Sequence, residues 1–559
     1  MRRESNGVID RSAATFGLTS GGPVPAGTRK RMHALKQLDY TVTGRFQPIV
    51  LDHLAEAEPL REHSQFPFNK EGLLQAARER TFPASSRQVL TAALHRQYAG
   101  IAIGEEVKGN LSALAEDGTL TITTGHQLCL FTGPLYVPLK IMNTVRMARD
   151  LSRTTGKPVV PIFWMATEDH DRAEIDHAWV FGKKLEWKGE AAGAVGRMQL
   201  VGMESVLTEL SALLGDTTRA DEMRSLLRAC YREDRTLAQA TRSFVNALFG
   251  RFGLVCVDGD DPSLKRLFSP VIQEELLNQV TERTVQYANE KLATHYKEQA
   301  HVRSINLFML GQSTRSRIEP DGDRFKLVGE NGDLGIDELL GLAQQAPEVF
   351  SPNVLLRPVY QEIVLPNVAY VGGGGEVAYW LQLRWLFQGL RVPMPVVCLR
   401  TSALFLTATD SDRMQQLGLS VEDVFRPTDQ LSAELAARLS TIDTDLAPQR
   451  KALVELYETL AMRAKAADPT LEGSVRGEAQ KAMKGLESIE GKLLRAAKRE
   501  QELALQRLTK LHDRLLPGGG LQERRDNFIP YYIEQGQAFF ERLFELDPLD
   551  KKFSVLRSK

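Results

Sequence analysis

Glu168-Asp169-His170-Asp171 packs three carboxylates and an imidazole into four consecutive positions, with Glu174 and His177 close behind. Such a set can hold a substrate ammonium, bind a divalent ion, or serve as acid and base. The bland reading is a solvated charged loop, and Glu174 and His177 read as surface residues. Against it stands the run at 159–166, which is almost wholly apolar and carries the cluster at its end. Charged groups next to a buried strand are rarely left without a purpose or a partner.

Four more polar clusters follow apolar runs. Thr124-Gly125-His126-Gln127 is followed by Phe131-Thr132-Gly133-Pro134-Leu135-Tyr136. Gly125 permits a sharp exit from a strand, Thr132 is placed to cap the next helix, and Pro134 suits its first turn. Free N–H groups at that helix start favour an anion, and His126 beside it could neutralise charge on a phosphoryl group. A hydrogen-bonded histidine in an ordinary strand-to-helix turn is the alternative. Gly372-Gly373-Gly374-Gly375-Glu376 allows close backbone approach to a ligand and sets a carboxylate at a helix start. Arg400-Thr401-Ser402, with Arg357-Pro358 upstream, offers cations and hydroxyls for an anion. Asp258-Gly259-Asp260-Asp261 reads as plain turn chemistry.

Strands must hold these clusters in place. Apolar runs at 120–124, 159–166, 254–257, 368–371 and 396–399 alternate with helical segments, which predicts a Rossmann-like parallel α/β sheet. In such sheets ligands bind beyond the carboxyl ends of the strands, so each polar cluster falls at one edge. Residues 52–99 read as helices broken at Pro67 and Pro83. Two inserts interrupt the 46–430 core, near 172–240 and 281–350. The first carries strand-like 179–181, 185–187 and 198–201. In the second, 304–310 and 325–328 flank the turn Pro320-Asp321-Gly322-Asp323 as a hairpin. Residues 1–45 read as an N-terminal extension that is expected to be flexible.

From 431 to 520 the composition shifts to Ala, Leu, Glu, Lys and Arg. The seam Val475, Ala479, Ala482, Leu486, Ile489, Leu493 alternates steps of four and three, then resumes at Ala504, Leu508, Leu511, Leu515 after a stutter. An antiparallel helical coiled coil is predicted, closed by Pro517-Gly518-Gly519-Gly520. The aromatic segment within 521–559 is expected to return to the core.

Composition bounds the partners. The 559 residues carry 70 basic and 71 acidic side chains, a net charge of −1, so no global field attracts nucleic acid or anionic lipid. The four cysteines are dispersed, which argues for reduced thiols and a cytoplasmic location over a disulfide or zinc scaffold. No apolar run reaches the roughly 18 residues a membrane span needs.

Taken in order, 124–127 with 131–136, Phe163-Trp164 with 168–171, Ser351-Pro352-Asn353, Leu356-Arg357-Pro358, 372–380 and Leu521-Gln522-Glu523-Arg524 resemble the bacillithiol-synthesis cysteine-adding enzymes, from about residue 45 to the end. The resemblance implies a ligase that forms an amide bond between L-cysteine and glucosaminyl-malate in the last step to bacillithiol. It also implies a homodimer joined through the coiled coil. The layout further resembles nucleotidyl-transfer enzymes of the class I aminoacyl-tRNA synthetase type, although their lysine-rich loop is not visible. ATP with Mg is therefore the expected source of activation. His126, Glu168, Asp169 and His170 are the expected catalytic residues. Gly125, Gln127, Asp171, Arg357, Gly373, Gly375, Glu376, Tyr379, Arg400 and Ser402 are expected to bind substrates, with no resident metal. Two other readings stand beside this one: a metal-dependent hydrolase built on 168–171, and a non-catalytic coiled-coil scaffold.

Overall fold

The computed structural model describes residues 36–189, 193–439 and 446–557. At its centre lie five strands: β1 (Leu120–His126), β2 (Val159–Met165), β3 (Val255–Asp258), β4 (Asn367–Gly372) and β5 (Val396–Leu399). They form one sheet in the order β5-β4-β1-β2-β3, every pair parallel. These are the five expected strands. All seven residues of β2 and all four of β5 are buried, because helices cover both faces of the sheet. The order changes direction between β1 and β4, and that is where such sheets open a crevice for ligands.

Helix α1 (Tyr136–Thr155) follows β1 and buries an apolar face that includes Leu139, Ile141, Met142 and Val145. Lys140, Asn143 and Thr144 are buried on it as well, so polar groups sit where packing alone would favour apolar ones. Helix α2 (Gly374–Trp380) follows β4.

The inserts depart from expectation in detail. In the first, His177–Val180 pairs antiparallel with Lys183–Glu186. Residues 198–201 form no strand: only Gln199 makes an isolated bridge, to Thr236, and helices Met203–Leu213 and Thr218–Cys230 fill the rest. In the second, the turn at Gly322 joins Arg315–Asp321 to Arg324–Leu327. Leu307–Leu310 instead pairs with the other edge of Arg315–Asp321, within a five-stranded antiparallel sheet. The hairpin signal was sound, but it skipped a strand whose alternating polar residues hide it.

Helices α3 (Ala447–Ala467) and α4 (Leu471–Leu515) form the antiparallel arm, tied by Arg450 to Glu490 at 2.6 Å and Lys465 to Glu472 at 3.0 Å. Helix α4 runs unbroken through the stutter. Leu508, Leu511 and Leu515 at its base are buried, whereas Ile489 and Leu493 are 51% and 41% exposed in the single chain. The C-terminal segment does return to the core: Phe553–Arg557 pairs parallel with Ala403–Leu406 and antiparallel with Lys36–Leu38. Residues 36–43 are thus a strand and a short helix on the core rather than extension, and 1–35 lie outside the described residues. No described helix is long and apolar enough to cross a membrane.

Candidate functional site

Strand β1 delivers Gly125, His126 and Gln127 to the crevice. The Tyr136 hydroxyl lies 3.2 Å from His126 Nε2, and Cys129 Sγ lies 3.6 Å from the same atom. Burial, reinforced by the positive charges of Lys140, Arg400 and Arg524, holds the His126 pKa down at about 3. His126 is therefore neutral near pH 7. In that form it can hydrogen-bond a phosphoryl or carboxylate oxygen.

The turn after β1 is built differently from the expectation. Phe131, Thr132 and Gly133 all adopt positive φ (54°, 65° and 71°), and Leu135 precedes α1 with no side-chain cap. Thr132 is not the cap; its buried hydroxyl has no partner. A Cβ at Gly133 would fall 2.7 Å from Cys129 Cβ, so this turn admits only glycine there. Asn527 fixes it by donating to the Phe131 and Gly133 carbonyls at 3.1 and 2.8 Å. The Leu135 N–H donates to the Asp526 carbonyl at 2.8 Å, so the helix start expected to hold an anion is occupied by the protein's own C-terminal segment.

Between β1 and β4 stands a lysine that sequence reasoning missed. Lys140 Nζ donates to the Gly125 carbonyl and to Glu376, both at 2.6 Å, with its side chain 1% exposed. Glu376, the third residue of α2, also accepts from Gly373 N–H at 2.8 Å and from the Tyr370 hydroxyl at 2.5 Å. Burial opposes its ionisation, but Lys140 and the Gly373 N–H overcome this and bring its pKa to about 2. The result is an ammonium–carboxylate pair across the topological switch point, its lysine buried and its glutamate 28% exposed.

The two expected cations have different standing. Arg357 donates to Gln361 at 3.0 Å and to the Tyr379 hydroxyl at 3.4 Å, and stacks on Tyr370 at 5.6 Å. Among the described residues it has no carboxylate within ion-pair distance, so it is free to meet an anion. Arg400 is already engaged. It pairs with buried Glu523 at 2.7 Å and donates to the Thr401 carbonyl and Ser402 hydroxyl. Only its buried Nε lacks a partner, and a Cβ at Gly373 would lie 3.8 Å from that atom. Ser402 is buried in the same network, and its N–H donates to Tyr40. A Cβ at Gly375 would meet nothing, so that backbone is open to a ligand.

The acidic cluster after β2 divides. Glu168 turns inward and pairs with Lys265, whose side chain is fully buried; burial raises its pKa against the pull of that lysine. It is a structural pair rather than a free catalytic carboxylate. Asp169 accepts from Gln127 at 3.1 Å and from His170 N–H at 2.7 Å, and faces Arg315 at 3.7 Å. Burial works against its ionisation, yet His170 and Arg315 hold its carboxyl below the usual range. Arg315 comes from the second insert and donates to His170 Nδ1 at 2.9 Å, which places the His170 proton on Nε2. Asp171 is exposed. Gln127 also binds Glu174, so it joins the β1 and β2 ends. Asp258, at the end of β3, pairs with Arg242 at 3.1 Å and accepts from Thr167.

His126, Gln127, Asp169, Glu376, Arg357 and Arg400 are therefore connected through contacts at one sheet edge, while Glu168 and Ser402 serve the framework beneath. The edge carries Arg357 and Arg400 together with Glu376 toward β4 and β5, Asp169 with Arg315 toward β2, and a neutral imidazole between. It can seat a molecule that is anionic at one end and carries an ammonium at the other. No group of three or more His, Cys, Asp or Glu suited to a metal occurs among the described residues. Lys140, Tyr370, Lys265, Arg315 and Glu523 were missed. Lys140 left a trace as a charge among the apolar positions of α1, and Glu523 as a member of the 521–524 stretch.

Comparison with known proteins bears on this geometry. The family model described as "Bacillithiol biosynthesis BshC, N-terminal Rossmann-like domain" matches residues 33–401, and that described as "Bacillithiol biosynthesis BshC, C-terminal coiled-coil domain" matches 403–558. A relative from Flavobacterium johnsoniae is 37% identical over 523 residues, covering 93% of this chain and 99% of its own. One from Flavobacterium psychrophilum is 36% identical over 525 residues, covering 93% and 99%. One from Bacillus anthracis is 27% identical over 526 residues, covering 89% and 96%. All three bear the name "Putative cysteine ligase BshC".

Proposed function

The chain belongs to the bacillithiol biosynthesis BshC family, and on that premise we propose that it is a ligase joining L-cysteine to glucosaminyl-malate through an amide bond. The observation that carries the reading is the placement, on either side of neutral His126, of Arg357, a guanidinium with only neutral partners, and of Asp169, an ionised carboxylate that Arg315 faces at 3.7 Å.

ATP, when bound, supplies the leaving group that makes the cysteine carboxyl reactive. The residues fit an anion of that kind: Arg357 is a half-buried guanidinium with only neutral partners, Arg400 Nε is an unused donor, and the Gly375 backbone is open. A lone exposed carboxylate such as Asp171 suits Mg, which is commonly held by one or two carboxylates together with phosphates. Asp169 holds an ammonium. His126 donates a hydrogen bond to a phosphoryl or carboxylate oxygen without adding charge. Lys140 and Glu376 fix the backbone of both turns, so the protein acts chiefly by positioning and by electrostatic stabilisation. The exposed Ile489 and Leu493 face of the arm is the surface on which a second copy docks.

The test is incubation with cysteine, glucosaminyl-malate and ATP, with product and AMP read by mass spectrometry. Product with equimolar AMP is expected. Asp169→Asn should lower turnover at least a hundredfold; because it also takes the carboxylate from Arg315, the unfolding midpoint is read in parallel to show that the variant is folded at the assay temperature. Product at the wild-type rate in that variant would remove Asp169 from the reaction.

A further inference from the structure

Beside His126 lies a cavity of about 380 Å³; Cys129, Tyr136, Trp179, Arg524 and Arg525 are among its walls, and the one carboxylate there, Glu174, is held by Gln127. Tyr136 and Cys129 both touch His126 Nε2, so the cavity adjoins the reacting edge. Its two arginines come from the C-terminal segment, which is pinned on both sides of them. Gln522 accepts from Phe405 N–H at 3.1 Å, Glu523 accepts from Arg400 and from Ala403 N–H, and Asn527 holds the 131–133 turn. These three anchors are at most 1% exposed, so the backbone that carries Arg524 and Arg525 is fixed before any ligand arrives.

The two guanidinium groups are not equivalent. Arg525 pairs with Asp526 at 2.9 Å and stacks on Trp179 at 5.1 Å. Arg524 touches only the Tyr136 ring, at 5.9 Å, and has no ion-pair partner among the described residues. Arg524 is exposed, and an unpaired fork of N–H donors carried on fixed backbone at the wall of a concave site matches a carboxylate in two parallel bonds. With Arg400 committed to Glu523, the anion-binding task expected of it falls to Arg524, the residue after Glu523. The indole of Trp179 offers an apolar plane of the kind that packs against a sugar ring.

We propose that this cavity receives the dicarboxylate end of the amino-sugar acceptor, and that Arg524 is the residue that distinguishes a malate-bearing glucosamine from a neutral glycoside. The assignment rests on the proposed ligase reading for its choice of ligand, but the site is defined by its own geometry.

Calorimetric titration of the full-length protein tests it with three probes: glucosaminyl-malate, L-malate and methyl glucosaminide, each against wild type, Arg524→Met and Arg524→Lys. The expected result is that wild type binds glucosaminyl-malate at least tenfold more tightly than methyl glucosaminide. Arg524→Met should erase that ratio by weakening the malate-bearing ligand tenfold or more, with the neutral glycoside unchanged. Lysine should restore part of it. In turnover the KM for the acceptor should rise while that for cysteine stays constant. An unchanged ratio in Arg524→Met overturns the proposal, even if the wild type forms product and so supports the ligase reading. L-malate binding that depends on Arg524, in a protein that forms no product, would sustain the cavity and overturn the reaction instead.

Discussion

Lys140 shows what a single buried charge does here. Its ammonium is almost wholly enclosed, and its two bonds, to Gly125 O and Glu376, join the turn after β1 to the turn after β4. Burial lowers its pKa while Glu376 raises it, and Glu376 itself remains ionised with a pKa of about 2. Removing one member of such a pair leaves the other charge uncompensated, which typically costs about 3–5 kcal/mol, whereas replacing both by neutral groups is far milder. Lys140→Met should therefore lower the unfolding free energy by about 3 kcal/mol, and Lys140→Met with Glu376→Gln should recover most of it. Urea denaturation of the two variants measures this directly. Both should lose catalysis, because the pair also sets the distance between His126 and the 373–375 backbone. A single variant as stable as the wild type would show that the lysine is not charged in the fold.

At the level of elements, the five strands were legible because a strand buried on both faces reads as a continuous apolar run, and residues 159–165 have no other reading. Site positions on the strand ends were legible for the same reason. Their partners were not: Arg315 reaches Asp169 from an antiparallel insert, and Glu523 reaches Arg400 across 123 positions of sequence. An arginine on a polar strand is ordinary, and Glu523, although it lies in the 521–524 stretch that carries the resemblance, gives no local sign that it pairs with Arg400. Thr132 misled because its spacing fits a cap, while Asn527, far away in sequence, imposes left-handed backbone on that turn. Hydrophobic spacing located the arm, and the single chain leaves part of its seam uncovered. Ile489 and Leu493 at 51% and 41% exposure, with Leu494 at 61%, form an apolar strip on an otherwise charged helix. Light scattering should give about twice the 62.4 kDa chain mass. The double substitution Ile489→Asp and Leu493→Asp should give the monomer with unchanged helical content. A wild-type monomer at micromolar concentration would remove the arm from assembly.

Across the whole molecule the near-zero net charge conceals strongly biased interior groups, and these set how stability responds to pH. His53 packs beneath the sheet, stacked on Phe68, with Nε2 donating to the Val397 carbonyl at 2.9 Å. Burial, aided by Lys551, lowers its pKa to about 4 despite that hydrogen bond. An unfolded histidine titrates near 6.5, so between 6.5 and 4 the unfolded chain takes up a proton that the folded one refuses. Its contribution is thus complete above pH 6.5 and is lost as the pH falls through that window, by about 2 kcal/mol between pH 7 and pH 5. His126, held at about 3, acts in the same direction. Glu362 acts in the opposite one: burial raises its pKa to about 7 against the attraction of Arg80, so the folded form retains a proton the unfolded chain has released, and its contribution declines as the pH rises from 4.5 to 7. The wild-type curve mixes these terms, and a difference between variants separates them. His53→Gln keeps a donor for Val397 O and removes the titration. Denaturant unfolding at pH 7 and pH 5 should therefore show the variant losing about 2 kcal/mol less than the wild type on acidification, whatever its absolute stability. Equal losses in the two proteins would mean that His53 is protonated in the fold, and its bond to Val397 would then need a different explanation from a neutral imidazole sealed in the core.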